Sequence, residues 1–218
     1  MTIIERRLNS LRIALCATIL AGISWAASPV STALPASTAP LAPPLQPNRL
    51  AVWPQGAASP AFELVDTDGA PRTLRDYRGR IVVIFFGFMH CPDACPAGLF
   101  KLAQVMKQLG QGASRVQVLF ITLDPARDTP PALKRYVSAF DPGFIGLTGT
   151  SAQVDQAASR FNVEYARVPL GDDYTIDHST GIFIFDGAGR LRLIGAANSP
   201  IADFVHDITA LAAEQPDS

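Results

Sequence analysis

Ile81-Val82-Val83-Ile84-Phe85-Phe86-Gly87-Phe88 runs directly into Met89-His90-Cys91-Pro92-Asp93-Ala94-Cys95-Pro96, and this junction decides the fold. The first half is a continuous apolar run rich in β-branched and aromatic side chains, the pattern of a strand buried on both faces. Beyond the junction, Ala97 to Leu109 carries Leu99, Leu102, Val105, Met106 and Leu109 at helical spacing. The two cysteines therefore stand where a strand gives way to a helix, which is where an open α/β sheet keeps its chemistry.

Working outward, Val116 to Leu123 reads as a second buried strand. Upstream, Phe62, Leu64 and Val65 lead through the turn signal Asp68-Gly69 to Leu74, a small β-hairpin. Thr129-Pro130 opens a helix running to about Phe140, with Thr as N-cap and Pro at the first position. Ser151 to Phe161 reads as another helix. Arg167 to Ile176 is polar and Gly-containing and reads as a mobile flap. Gly181 to Phe185 and Arg190 to Ile194 flank Asp186-Gly187-Ala188-Gly189 as a hairpin. Ser199-Pro200 opens a last helix with Ile201, Phe204, Val205, Ile208 and Leu211 on one face. This order predicts an α/β domain over 61–213, followed by a tail at 214–218. Its class is thioredoxin-like in the peroxiredoxin-like variant: a central mixed sheet flanked by helices, with an N-terminal β-hairpin.

The chain has 218 residues, is 48% hydrophobic and 17% charged, and carries a formal net charge of −1. That composition builds a real core and excludes wholesale disorder. Balanced charge leaves no basic field for holding nucleic acid. No charged residue lies between Arg12 and Arg49. Arg6, Arg7 and Arg12 precede the apolar run Ile13 to Ala27, the layout of an export signal, with Ser24, Ala26, Ala27 and Ser28 as small residues for cleavage. The same stretch at 1–27 also suits a membrane anchor if neutral sequence beyond it extends the span toward the ~20 residues a helix needs. Residues 28–60 hold eight of the 18 prolines and read as an extended spacer. A transit peptide would lack so apolar a core, so the expected location is the periplasmic side of a bacterial inner membrane, anchored or soluble.

Export changes the cysteine arithmetic. Cys16 lies in the apolar run as a small hydrophobe, leaving Cys91 and Cys95 in an oxidising compartment. Placed on one helix, positions i and i+4 share a face, and both sulfurs can point at one spot. Cys91 falls near the expected helix N-terminus, where free backbone N–H groups favour a thiolate. Two thiolates make a soft site for Cu(I) or Zn(II); their Cα separation of about 6 Å equally allows a disulfide. Three residues between the cysteines exclude the Cys-x-x-Cys reductase pattern, and Phe88 stands where thiol peroxidases need Thr or Ser. His178, in Asp177-His178-Ser179, sits on the loop before Gly181 and can complete a three-coordinate site, its other ring nitrogen oriented by Asp177 or a backbone carbonyl. His90 competes as a ligand but points the opposite way from its neighbour Cys91. His206 is a partly exposed helix residue. Asp124, Arg127 and Asp128 suit an ion-pair network shaping the rim, and Phe161, Tyr165 and Tyr174 pack around it.

Gly87 to Pro96, Asp124-Pro125-Ala126-Arg127-Asp128-Thr129-Pro130 and Asp177-His178-Ser179, in this order, resemble the SCO/SenC family across 61–213. The resemblance implies a membrane-tethered, thioredoxin-fold copper protein that helps assemble the dinuclear copper centre of cytochrome c oxidase. On it, Cys91, Cys95 and His178 are the ligands of one copper per domain. The implied partners are the oxidase's copper-site subunit, other periplasmic copper chaperones and a thiol reductase. Met89 departs from the Thr common in the family; ordinary packing accounts for it. The leading expectation is a non-enzymatic metallochaperone. The alternatives are a thiol–disulfide reductase using Cys91 and Cys95 as a redox pair, or a redox or copper sensor.

Overall fold

The computed structural model describes residues 48–214, so the expected leader at 1–27, the expected spacer up to residue 47 and the last four residues of the tail lie outside the described residues. Along the described chain come β1 (Ala51–Val52), β2 (Glu63–Asp66), β3 (Pro71–Thr73), a 3₁₀ turn at Leu74–Tyr77, β4 (Ile81–Gly87), α1 (Ala94–Leu109), a 3₁₀ segment at Gly110–Arg115 and β5 (Val116–Thr122). They continue with α2 (Pro130–Ser138), β6 (Ile145–Thr148), α3 (Ser151–Arg160), β7 (Tyr165–Leu170), β8 (Asp173–His178), β9 (Gly181–Phe185), β10 (Leu191–Ala196) and α4 (Ile201–Ala213).

Eight strands form one mixed sheet in the order β1-β10-β9-β4-β5-β6-β2-β3. Strands β4, β5 and β6 run parallel, while β9 is antiparallel to β4. Period-two alternation splits β4 between two cores. Ile81, Val83 and Phe85 face α1, α2 and α4 through Leu99, Leu133 and Phe204. Val82, Ile84 and Phe86 face α3 and the β2–β3 hairpin through Val154, Phe161 and Leu64. Both faces of β4 and β5 are covered, which is why their sequences read as unbroken apolar runs. The sheet, the flanking helices and the N-terminal hairpin agree with the expected thioredoxin-like class.

Four local expectations are corrected. α1 begins at Ala94 rather than Ala97, because a helix's first turn tolerates proline and Pro96 stands there. The expected spacer ends early: β1 pairs with β10, Leu50 is buried, and the Asp207 carboxylate accepts the Arg49 and Leu50 N–H groups. β6, unforeseen, is a four-residue strand between β5 and β2. The expected flap is instead an antiparallel β7–β8 hairpin outside the main sheet. No helix among the described residues is long and apolar enough to cross a membrane.

Two hairpins close with the same device. Asp66 Oδ1 accepts the N–H groups of Asp68 and Ala70 at 2.9 Å, and Oδ2 pairs with Arg72 at 2.7 Å. Asp186 Oδ1 accepts those of Ala188 and Arg190 at 3.0 Å, and Oδ2 pairs with Arg190 and Arg192. Burial pushes both carboxyls up, but the backbone donors and arginines outweigh it and hold each below the ordinary 3.8. The folded state thus binds fewer protons than the unfolded chain in acid. The stability this contributes is fully present above the ordinary carboxylate range and is lost as pH falls through the lowered folded-state values. Thermal melts from pH 5 to pH 2 should therefore show a falling midpoint, roughly over the span in which such carboxylates protonate. The double variant Asp66→Asn with Asp186→Asn should flatten that fall; an unchanged slope would remove these turns as its source.

Candidate metal centre

Antiparallel pairing of β9 with β4 places Phe85 opposite Ile182. The chain leaving β4 and the chain approaching β9 therefore meet at one end of the sheet. Residues 88–95 lie on one side of that meeting point and His178 on the other. Cys95 Sγ stands 3.7 Å from His178 Nε2. Phe88 meets the imidazole edge-on, with ring centroids 6.0 Å apart.

The cysteines do not share a helix face as expected. Cys91 lies in the turn before α1, and Cys95 lies in its first turn, one place after Ala94. The Cys95 N–H, one of the donors a helix start leaves without an intrahelical partner, donates to Cys91 Sγ at 3.4 Å. That contact places the Cys91 sulfur at the start of α1. Both are free thiols; Cys95 is buried and Cys91 is partly exposed. Burial pushes the Cys95 thiol far up, against a backbone hydrogen bond from Phe88. The sulfur sits over Gly87, where a Cβ would approach it to 2.7 Å.

His178 is the last residue of β8 rather than a loop residue. Its Nδ1 lies 2.9 Å from the Ser179 carbonyl oxygen, the backbone alternative of the two orienting groups expected. A carbonyl only accepts, so Nδ1–H donates to it and Nε2 is the ring nitrogen facing Cys95. Two cysteine sulfurs and an imidazole nitrogen make a soft donor set that fits Cu(I). Sequence reasoning thus named the three residues that the fold brings to one end of β4, but not Gly87 beneath the sulfur; a glycine closing a strand is its only sequence trace.

His90 is half-exposed, with Nδ1 3.6 Å from Asp128 Oδ1. Met89 packs against the helix-covered core, consistent with ordinary packing. His206 pairs with Asp207 on α4 at 2.7 Å. The expected rim network divides in two. Asp128 Oδ2 accepts from the Met89 N–H and the Thr122 hydroxyl, bracing the 88–91 turn, and burial pushes its carboxyl up. Asp124 pairs instead with Arg127 and, at 2.7 Å, with the Tyr174 hydroxyl. His90, Asp124 and Asp128 offer ligand atoms within 4.8 Å of one another. Both Asp124 oxygens are already engaged, and the adjacent Arg127 guanidinium opposes a cation there. Of the three aromatics expected around the rim, Tyr174 reaches it, Tyr165 bonds Asp155, and Phe161 sits in the core.

A mitochondrial SCO2 homologue from Bos taurus is 45% identical over 132 residues, 59% of this chain and 50% of that protein. A SCO2-like protein from Rickettsia conorii is 41% identical over 132 residues, covering 59% of this chain and 64% of its own. The chain thus spans about half to two thirds of the curated relatives it matches. Among solved structures, Bradyrhizobium japonicum ScoI with copper bound is 36% identical at a TM-score of 0.65, covering 70% of this chain and 98% of that one. Yeast Sco1 with copper bound is 35% identical at 0.64, covering 70% and 87%. The SCO1/SenC family model matches residues 53–213, from the segment that follows β1 to the end of α4 with both cysteines and His178 inside it, and the chain belongs to that family.

Proposed function

We propose that this protein is a copper-binding metallochaperone, one copper per domain, that delivers its cargo to the dinuclear copper centre of cytochrome c oxidase during assembly. The observation that carries the proposal is the 3.7 Å approach of His178 Nε2 to Cys95 Sγ, with Cys91 Sγ tied to the same helix start. Thiolates select Cu(I) over the harder cations, and the buried Cys95 and the oriented imidazole form the inner side of the site. Cys91, partly exposed, is the side from which a partner's cysteine reaches the cargo. Transfer is then ligand exchange: an incoming thiolate replaces one donor and the released donor regains a proton, with no net oxidation. Both thiols must be reduced, because a disulfide removes two of the three donors. We place the domain on the periplasmic side of the membrane, tethered or released, with the oxidase's copper-site subunit as acceptor and a thiol reductase maintaining the pair.

The test is a Cu(I) titration of the reduced protein against a competing chelator, followed by transfer to the purified oxidase subunit. One tightly held equivalent, lost on oxidation and weakened in His178→Ala, is the expected result. Weak binding indifferent to His178, together with dithiol exchange that survives His178→Ala, would replace the chaperone with a thiol–disulfide reductase acting through Cys91 and Cys95.

A further inference from the structure

We infer that Asp124, Arg127 and Tyr174 form a latch that docks the β7–β8 hairpin onto the loop after β5 and so positions the His178 imidazole. The inference rests on the copper reading of His178. It starts from a deficit in the hairpin. Among the described residues, strands β7 and β8 pair only with each other, and β7 is exposed from Ala166 to Leu170. A lone two-stranded hairpin is marginal in water, so its attachments decide where its residues lie.

Those attachments line one face. On β8, Tyr174, Ile176 and His178 alternate with the outward Asp173, Thr175 and Asp177. Ile176 is buried in the core, and His178 reaches Cys95. Tyr174, four residues before the imidazole on the same face, meets the loop after β5. Its hydroxyl donates to Asp124 Oδ1 at 2.7 Å. Arg127 holds the other Asp124 oxygen through Nε. Its Nη1 then crosses to the hairpin, donating to the Tyr174 carbonyl at 2.8 Å and to Asp173 Oδ1 at 2.9 Å. The guanidinium carbon lies 3.6 Å from the centre of the Tyr174 ring. One planar fork therefore engages the loop's carboxylate, the strand's backbone and the ring face together, a set a lysine ammonium cannot reproduce. At the hairpin's base the Ser179 N–H donates to the Glu164 carbonyl at 2.9 Å, and the Glu164 N–H to Ser179 Oγ at 3.1 Å. His178 is thus held between a clasp one residue after it and the latch four residues before it.

The test uses the full chain, reduced, with Tyr174→Leu and Arg127→Lys. Amide hydrogen exchange is measured on the copper-free protein, with β4, β5 and β9 as internal reference. Cu(I) affinity is measured by chelator competition, each variant alone and combined with His178→Ala. Each variant should speed exchange across residues 165–178 by about tenfold or more while the reference strands keep their rates. Each should weaken Cu(I) binding by about 10–100-fold, the cost of removing a group that orients a ligand. In the His178→Ala background the further loss should vanish, because a latch acting through the imidazole has nothing left to position. Unchanged hairpin exchange overturns the latch. An equal affinity loss without His178 overturns its role in positioning. Should His178→Ala leave Cu(I) affinity intact, the copper reading falls instead, and the exchange rates alone decide the docking. If Tyr174→Leu does not fold, Arg127→Lys carries both measurements.

Discussion

Alanine at position 87 is expected to lower Cu(I) affinity by about a hundredfold and stability by about 1–3 kcal/mol. A Cβ there would stand 2.7 Å from Cys95 Sγ and 2.9 Å from the Phe120 ring. Phe120 is fully buried and packed edge-on against Phe85 at 6.0 Å, so it cannot retreat cheaply. The sulfur must move instead, and it moves off its seat opposite His178 Nε2. Gly98→Ala supplies the control. Its Cβ would meet the Phe85 ring at 2.7 Å, and the three atoms nearest to it all belong to Phe85 rather than to a cysteine sulfur. Both variants should melt earlier, and only Gly87→Ala should lose the metal in a chelator competition. Wild-type affinity in Gly87→Ala would mean that the seat under Cys95 does not govern the site.

Asp207→Ala should unfold with a loss of about 2–4 kcal/mol in urea titrations. The Asp207 side chain is fully buried in α4. It accepts the Arg49 N–H at 2.9 Å and the Leu50 N–H at 2.8 Å, and pairs with His206 Nδ1 at 2.7 Å. Alanine strands those donors in a buried position and frees the segment that leads into β1. Asp207→Asn, which keeps one acceptor oxygen, should lose less. A stability within about 0.5 kcal/mol of wild type, the range of an ordinary surface change, would show that the segment holds without the carboxylate.

The parts of this protein that could be read in advance are those with a strong pattern of their own: an unbroken apolar run, helical spacing of apolar residues, or a turn signal between two runs. β4 and β5 are covered on both faces, so their composition alone declares them. The hairpin β7–β8 is the opposite case. It buries little beyond Ile176 and contains Pro169 and Gly171, so a flap was the natural reading. Only three inward positions, Tyr174, Ile176 and His178, carry the strand signal, and two of them are polar. β6 stayed hidden because it is four residues long and contains Gly146, whose close approach to Leu133 replaces a side chain with contact. β1 is two residues in a proline-rich stretch and exists through its pairing with β10. At the site, residue chemistry singles out Cys91 and Cys95, and the family resemblance adds His178. The contact of the Cys95 N–H with the Cys91 sulfur is not legible, because a backbone donor leaves no trace in residue type.

The antiparallel register of β9 on β4 has a consequence for when copper can be carried. Cys95 and His178 are 83 positions apart and meet only because those strands have paired. An unfinished chain already offers its two thiols, four residues apart and next to His90, but not the imidazole of His178. A ligand that prefers the native state stabilises it in proportion to that preference, and any grip on the unfolded thiols subtracts from the effect. On the copper reading, the third donor makes the difference between the two grips. On that same reading a chain that has not completed its sheet should hold metal less tightly than the folded domain, so a lasting load would mark a chain that has finished folding.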